Sequence, residues 1–310
     1  MTAPKDFLDI SSLTQEEILS LLDNAAQMKD VFTRSVKIVP TLRGRTVLTL
    51  FYENSTRTST SFEIAAKRLS ADVTNFNVST SSVKKGESVK ETIDTLEAMR
   101  CDYVVVRHPM SGFARNLANL TNMSVINAGD GQHAHPTQAL LDAFTVREVF
   151  PSFAGKRVLI VGDILHSRVA RSTSTILRTL GMEVAFLGPG SLVPKHTSYP
   201  RFTNYEDAMG WKPDIVYLLR VQMERLEAPY FPSTSEYHKL YGVTKERLQE
   251  LRDKGLYIMH PGPFNRGVEL CDEAVEYERS LINQQVENGV AARMAVLYSL
   301  NPHTAGYKAL

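Results

Sequence analysis

The sequence predicts an α/β fold built as two doubly wound, parallel-sheet domains. Three observations carry that prediction. Short apolar runs of strand length alternate with longer amphipathic runs, the pattern of βαβ units. The alternation occurs twice, on either side of a Pro- and Gly-bearing break at Phe150-Pro151-Ser152-Phe153-Ala154-Gly155. Arg, His and hydroxyl side chains gather just after the predicted strands, where open α/β sheets bind their ligands.

Each element follows from local pattern. Thr14-Gln15-Glu16-Glu17 reads as a capping box. Ile18, Leu21, Leu22, Ala25 and Met28 then recur at helical spacing, so a first helix with one apolar face is expected. Strands are predicted at residues 47–52, 73–77, 103–106 and 124–127, with a helix-like run over 61–69. A long helix over residues 136–149 leads to the break near 150. Strands at 157–161, 183–187, 215–219 and 256–259 predict the second sheet. A last helix over 288–300 is expected to return to the first domain. The expected division is residues 1–150, with 288–310 packing back on them, and residues 151–287. No solenoid-period repeat or low-complexity tract interrupts the pattern.

Composition narrows the function. The 310 residues are 43% hydrophobic, and 35 basic against 34 acidic side chains leave a net charge of +1. Such a balance gives no bulk attraction to nucleic acid or to a membrane surface. No apolar run approaches the ~20 residues of a membrane span, and the amino terminus lacks the apolar centre of a signal peptide. Cys101 and Cys271 are too few for a disulfide framework or a four-cysteine zinc site, and are expected to pack as small apolar groups. A cytoplasmic protein is the expectation. A P-loop, a full Gly-x-Gly-x-x-Gly fingerprint and a Gly-x-Ser-x-Gly elbow are absent, which argues against ATP use, nicotinamide use and serine hydrolysis. Val161-Gly162-Asp163 carries one glycine of a dinucleotide turn, too little to indicate one.

Ser55-Thr56-Arg57-Thr58-Ser59 is the most informative stretch. It lies between a strand-like run and a helix-like run. The first N–H groups of a helix lack intrahelical partners and carry the positive end of the dipole, so they attract phosphate. Hydroxyls and a guanidinium in the same turn suit a phosphate-bearing ligand held without a metal. The competing reading is an ordinary Ser/Thr helix cap. Similar residues follow other strands: Arg107-His108-Pro109, the run from Gly129 to Gln138, Asp163 and Arg168, Arg220-Val221-Gln222, and His260-Pro261-Gly262-Pro263. His133 and His135 have no acidic or cysteine partner at ligand spacing, so no metal is expected.

Taken in order along the chain, these motifs closely resemble the aspartate carbamoyltransferase catalytic-chain family, within the aspartate/ornithine carbamoyltransferase superfamily. The resemblance implies two α/β domains with the active site in the cleft between them. It implies transfer of the carbamoyl group of carbamoyl phosphate to the amine of L-aspartate, giving N-carbamoyl-L-aspartate and phosphate on the route to pyrimidines. No cofactor is implied. By the resemblance, Ser55, Thr56, Arg57 and Thr58 hold the phosphate. Arg107, His135 and Thr58 reach the carbamoyl carbonyl oxygen. Gln138 and the backbone carbonyls of Gly262 and Pro263 hold the carbamoyl NH₂. Arg168 and Arg220, helped by Gln222, take the aspartate carboxylates. The run from Ser81 to Glu87 resembles a loop that supplies Ser81 and Lys85 to a neighbouring subunit's site. Lys85 there meets both the leaving phosphate and aspartate, and a homotrimer with shared sites is implied. Some relatives assemble further with a regulatory chain or dihydroorotase; Asn265-Arg266-Gly267 resembles family members other than the allosterically regulated type, which argues against a regulatory chain, and nothing in the sequence decides on dihydroorotase.

The chemistry agrees with these residue types. The amine attacks the carbamoyl carbon, charge grows on its oxygen, and donors aimed at that oxygen stabilise the intermediate. Arg57 and Lys85 would neutralise the departing phosphate, which can itself take the amine proton, so no protein nucleophile is needed. The nearest rival is ornithine carbamoyltransferase. That relative carries His-Cys-Leu-Pro where this chain has His260-Pro261-Gly262-Pro263, and ends the phosphate motif in Arg where this one has Ser59. A guanidinium at Arg220 suits a β-carboxylate and repels a cationic arm. A non-catalytic scaffold is the other rival, and it would leave Arg57, Lys85, Arg107, His135, Gln138, Arg168 and Arg220 idle.

Overall fold

The computed structural model describes residues 4–53, 55–76, 88–221 and 233–300. The chain divides into two compact units: Met1–Phe144 with Val286–Leu310, and Thr145–Gln285.

The first unit opens on α1 (Gln15–Asp30). Its capping box is formed in full. Glu17 N–H donates to Thr14 Oγ1, and Thr14 N–H donates to the Glu17 carboxylate at 2.8 Å. Ile18, Leu21, Leu22 and Ala25 are its buried stripe. Then come β1 (Thr46–Phe51), α2 (Thr56–Arg68), β2 (Asp72–Phe76), α3 (Val89–Ala98), β3 (Tyr103–His108), α4 (Phe113–Ala118) and β4 (Ser124–Asp130). The four strands are parallel in the order β2-β1-β3-β4. Leu48, Leu50, Val104, Val106 and Val125 form one buried face with Ile93, Leu96, Phe113 and Leu117.

Amino-terminal residues lie along the outer edge of β4. Phe7 pairs parallel to Ile126: its N–H donates to Val125 O, and Asn127 N–H donates to Phe7 O, both at 2.9 Å. Asp6 accepts from Val125 N–H and Asn127 Nδ2 donates to Leu8 O.

α5 (Pro136–Val149) crosses from the first unit into the second. The second unit continues with β5 (Arg157–Val161), α6 (Arg168–Thr179), β6 (Glu183–Leu187), β7 (Arg201–Phe202), α7 (Tyr205–Gly210), β8 (Ile215–Leu218), α8 (Thr234–Tyr241), α9 (Lys245–Asp253) and β9 (Tyr257–Met259). Its strands are parallel in the order β7-β6-β5-β8-β9. Leu159, Val161, Ala185, Leu187, Val216, Leu218 and Ile258 carry its core. α10 (Ile282–Ser299) starts here, and from Val286 onward belongs to the first unit. There Lys29 Nζ donates to Asn288 Oδ1 at 2.8 Å, and the Arg293 guanidinium sits 5.2 Å from the centre of the Phe62 ring.

The fold is therefore α/β with two parallel sheets, as expected. The differences are local. α10 begins at Ile282, six residues before the expected 288, because its first turn is polar and carries no apolar stripe. β7 was not expected: its two residues pair with Phe186 and Leu187 and have no signal of their own. Cys101 packs beside the first core and Cys271 lies within the second, and burial raises both thiols above their ordinary pKa. Among the described residues, no helix is long and apolar enough to cross a membrane.

Candidate active site

In the first unit, β1 lies between β2 and β3, so the strand order reverses there and leaves a crevice at the carboxyl ends of β1 and β3. The Ser55 turn leaves β1, and Arg107 lies in β3 directly opposite Phe51. Tyr52 N–H donates to Arg107 O at 2.9 Å and ties the two exits together. Ser55 occupies the N-cap position of α2, yet its hydroxyl makes no capping bond. The helical ladder begins with Ser59 N–H donating to Ser55 O at 3.0 Å. The amides of Thr56, Arg57 and Thr58 thus precede the ladder, and no acidic residue occupies the first turn. Thr58 is buried, while Thr56 and Arg57 are exposed. An uncapped, acid-free helix start with a buried hydroxyl suits an anion better than the capping reading does.

Sequence reasoning missed Glu53. Arg107 Nε donates to Glu53 Oε2 at 3.2 Å, and the two side chains are only 14% and 15% exposed. The neighbouring His108 stacks on Phe113 at 3.7 Å and accepts from Met110 N–H on Nδ1 at 3.0 Å. Burial lowers its pKa, and the accepting Nδ1 assigns the proton to Nε2.

All seven residues of β4 are buried. Its last residue, Asp130, accepts from Gly112 N–H at 2.6 Å, Asn127 Nδ2 at 3.0 Å and Ala134 N–H at 3.1 Å. These bonds fix the turn that delivers His135, which is 4% exposed. His133 turns elsewhere, to Asp130 at 3.1 Å and Asp9 at 3.6 Å. Pro136 starts α5, a position where the missing N–H costs nothing. Within the first turn, buried Gln138 donates Nε2 to Asp142 Oδ1 at 2.9 Å. That bond assigns the amide orientation and leaves Oε1 as the acceptor end. Asp142 also acts on Arg293. Burial first, then the like charge of Arg107, bring the Arg293 pKa down to about 10, while Asp142 opposes them. The spacing of Gln138 and Asp142, four apart on one helix, was the available signal for Asp142.

The second unit repeats the device. β5 lies between β6 and β8, so its order also reverses there. After β5, Asp163 accepts from His166 N–H at 3.1 Å and holds the His166 ring at 3.0 Å. Ser167 caps α6 by accepting from Ala170 N–H at 3.1 Å. Arg168 is the first residue of that helix and only 7% exposed. A cation at a helix amino terminus opposes the dipole, so helix stability does not account for its placement. Arg220 follows adjacent strand β8, and Leu219 N–H donates to Val161 O at 2.9 Å to bind the two exits. After β9, His260 Nδ1 accepts from Gly262 N–H at 2.9 Å. Gly262 has φ +63°, the left-handed region that a glycine occupies at least cost, and a cis peptide joins it to Pro263.

Within the first unit the structure thus gathers Ser55, Thr56, Arg57, Thr58 and Arg107 at one strand-order reversal, with His135 and Gln138 following the next strand. Within the second it sets Arg168, Arg220, Gly262 and Pro263 after three adjacent strands. Ser81, Lys85 and Gln222 lie outside the described residues. Among the described residues there is no group of three or more His, Cys, Asp or Glu side chains able to hold a metal ion.

Residues 5–148 match the carbamoyl-P binding domain of aspartate/ornithine carbamoyltransferase, and residues 154–300 match its Asp/Orn binding domain. The aspartate carbamoyltransferase catalytic subunit of Akkermansia muciniphila is 68% identical over 302 residues, covering 97% of this chain and 98% of that protein. The subunit of the same name from Acidothermus cellulolyticus is 53% identical, covering 96% of this chain and 92% of that one. Among solved structures, the catalytic subunit of M. jannaschii aspartate transcarbamoylase superposes with a TM-score of 0.86 at 32% identity, covering 98% of this chain and 100% of that one. Aspartate transcarbamoylase from Trypanosoma cruzi, in complex with carbamoyl phosphate and aspartate, gives a TM-score of 0.85 at 28% identity, covering 96% and 97%.

Proposed function

The chain belongs to the aspartate/ornithine carbamoyltransferase family, and we propose that it works on the aspartate side of that family. It transfers the carbamoyl group of carbamoyl phosphate to L-aspartate, releasing N-carbamoyl-L-aspartate and phosphate for pyrimidine synthesis. The observation that carries this reading is Arg168 at the buried start of α6 with Arg220 after the neighbouring strand. Two guanidiniums suit a dicarboxylate and repel the cationic arm of ornithine.

Residues 1–150, with the last helix, take carbamoyl phosphate, and residues 151–287 take aspartate. Ser55, Thr56, Arg57 and Thr58 hold the phosphate at the α2 amino terminus, supported by the idle Ser55 hydroxyl and the free first turn. Arg107, His135 and Thr58 donate to the carbonyl oxygen as it gains charge. Glu53 accepts from Arg107 Nε and so orients its guanidinium. Gln138 Oε1 and the carbonyls of Gly262 and Pro263 accept from the carbamoyl NH₂. Binding both substrates side by side makes the attack effectively intramolecular. The departing phosphate takes the amine proton, so His135 serves as a donor and not as a base. The enzyme is a cytoplasmic homotrimer, and Ser81 and Lys85 complete a neighbour's site. Gln222 assists Arg220.

The test is to mix the purified chain with carbamoyl phosphate and either L-aspartate or L-ornithine, and to measure phosphate and carbamoylated product. Product from aspartate alone is expected. Product from ornithine would overturn the roles of Arg168 and Arg220, and no product from either amine would revive the scaffold reading. Sedimentation of the same sample tests the trimer.

A further inference from the structure

Glu269 is a carboxylate the reaction does not use, yet it is only 1% exposed. Its Oε1 accepts from Val221 N–H at 2.8 Å and from Asn265 Nδ2 at 3.0 Å. Its Oε2 accepts from Asn265 N–H. Val221 is the residue after Arg220, and Asn265 is the second residue after Pro263. One side chain therefore reaches two different segments, each beside a proposed substrate contact. The other end of the second segment is held too, because His260 Nδ1 accepts from Gly262 N–H while Gln285 Oε1 accepts from His260 N–H. The Gly262 and Asn265 N–H groups are thus both bound within the unit, one on each side of the Pro263 peptide. The buried Tyr237 phenol lies close enough to feel both Glu269 and Asp163, the acidic residue after β5. Burial raises the Glu269 pKa in spite of these bonds, so the fold holds the charge at a cost.

We infer that Glu269 is a positioning residue: its carboxylate locks the Arg220 segment and the Gly262-Pro263 turn in one register, so that the aspartate carboxylate contact and the carbamoyl NH₂ contact are set together. This rests on the aspartate-transfer reading above. A carboxylate is required because both oxygens face N–H donors. An amide would turn its own NH₂ toward one of them and release that segment.

The test compares the full-length chain with Glu269→Gln and Glu269→Asp. Aspartate KM, the Kd of inorganic phosphate, Tm, and hydrogen exchange of the Val221 and Asn265 amides are measured for each. For Glu269→Gln the aspartate KM should rise about tenfold or more, the scale of one lost hydrogen bond to a charged group. Phosphate Kd should stay within about twofold, since its proposed contacts lie in the other unit. Exchange should quicken at Val221 or Asn265 ahead of the surrounding core. Glu269→Asp keeps the charge but shortens the reach, so it should release one segment and show a smaller rise. An unchanged aspartate KM, or aspartate and phosphate binding weakening together with Tm, would overturn the inference. Should the unsubstituted chain fail to carbamoylate aspartate, the parent reading falls. The exchange measurement still decides the lock, because unchanged exchange at both amides rules it out.

Discussion

Asp142 performs two tasks that substitution can separate. Its carboxylate accepts from Gln138 Nε2 at 2.9 Å and supplies negative charge near Arg293. Asp142 is fully buried and Arg293 is 4% exposed, while Arg107 adds a like charge against Arg293. Asp142→Asn keeps an oxygen for Gln138 but strips Arg293 of its counter-charge. Arg293 keeps two contacts: its Nη1 donates to Gly289 O at 2.8 Å, and its guanidinium lies over Phe62. Loss of the favourable charge interaction alone is expected to cost about 1 kcal/mol. For a domain of this size that lowers Tm by about 2–4 °C. Asp142→Ala also removes the Gln138 bond, a further loss of about 1.5–3 kcal/mol, and lets the amide turn over. If both amide orientations become equally populated, carbamoyl phosphate affinity falls about twofold, and if the reversed one wins by about 1 kcal/mol it falls about sixfold. Calorimetry supplies both numbers, by scanning for Tm and by titration for affinity. An unchanged Tm for Asp142→Asn would refute the counter-charge argument. Equal affinities for the Asn and Ala variants would refute the orientation argument.

Arg220→Ala should raise aspartate KM by about 100-fold, the equivalent of about 3 kcal/mol for a truncated charge contact, while phosphate Kd is unchanged; equal loss of both would sink the assignment. Thr14→Ala removes the α1 cap and should cost about 1 kcal/mol in denaturant unfolding, and no shift in midpoint would contradict the role of the cap. His108 has a pKa lowered by burial, so the folded protein binds its proton less tightly than the unfolded chain does. Its contribution to stability is present above the ordinary pKa of 6.5 and is lost as pH falls below it toward the depressed folded value. His108→Phe should flatten Tm against pH in that window, and an identical acid limb in both proteins would count against it.

Most of the fold was written locally. Arg157–Val161 and Glu183–Leu187 were readable to the residue, because parallel strands buried on both faces appear as unbroken apolar runs. The proline at Pro136 fixed the start of α5. Elements held by their pairing partner and not by a pattern of their own were not readable: β7 exists through its pairing with β6, and the Phe7 segment through β4. The site divides the same way. Ser55 to Thr58, Arg107, His135, Arg168 and Arg220 follow strands and announce themselves by residue type. Glu53, Arg293 and Glu269 do not, since a lone acid or base in a sequence is most often a solvated charge. Their burial and partners, which are tertiary facts, distinguish them.

The segment along the outer edge of β4 has a consequence for how the chain is made. Asp6 and Leu8 reach their β4 partners across 119 residues of sequence. These residues leave the ribosome well before β4 and must therefore wait, unpaired, until it has been synthesised, while the β4 edge emerges bare and open to strands of other nascent chains. Docking of residues 5–8 is the step that covers this edge. A bulky amino-terminal fusion would delay that step, and its cost would be read as insoluble product during expression before any loss of activity in the protein that survives.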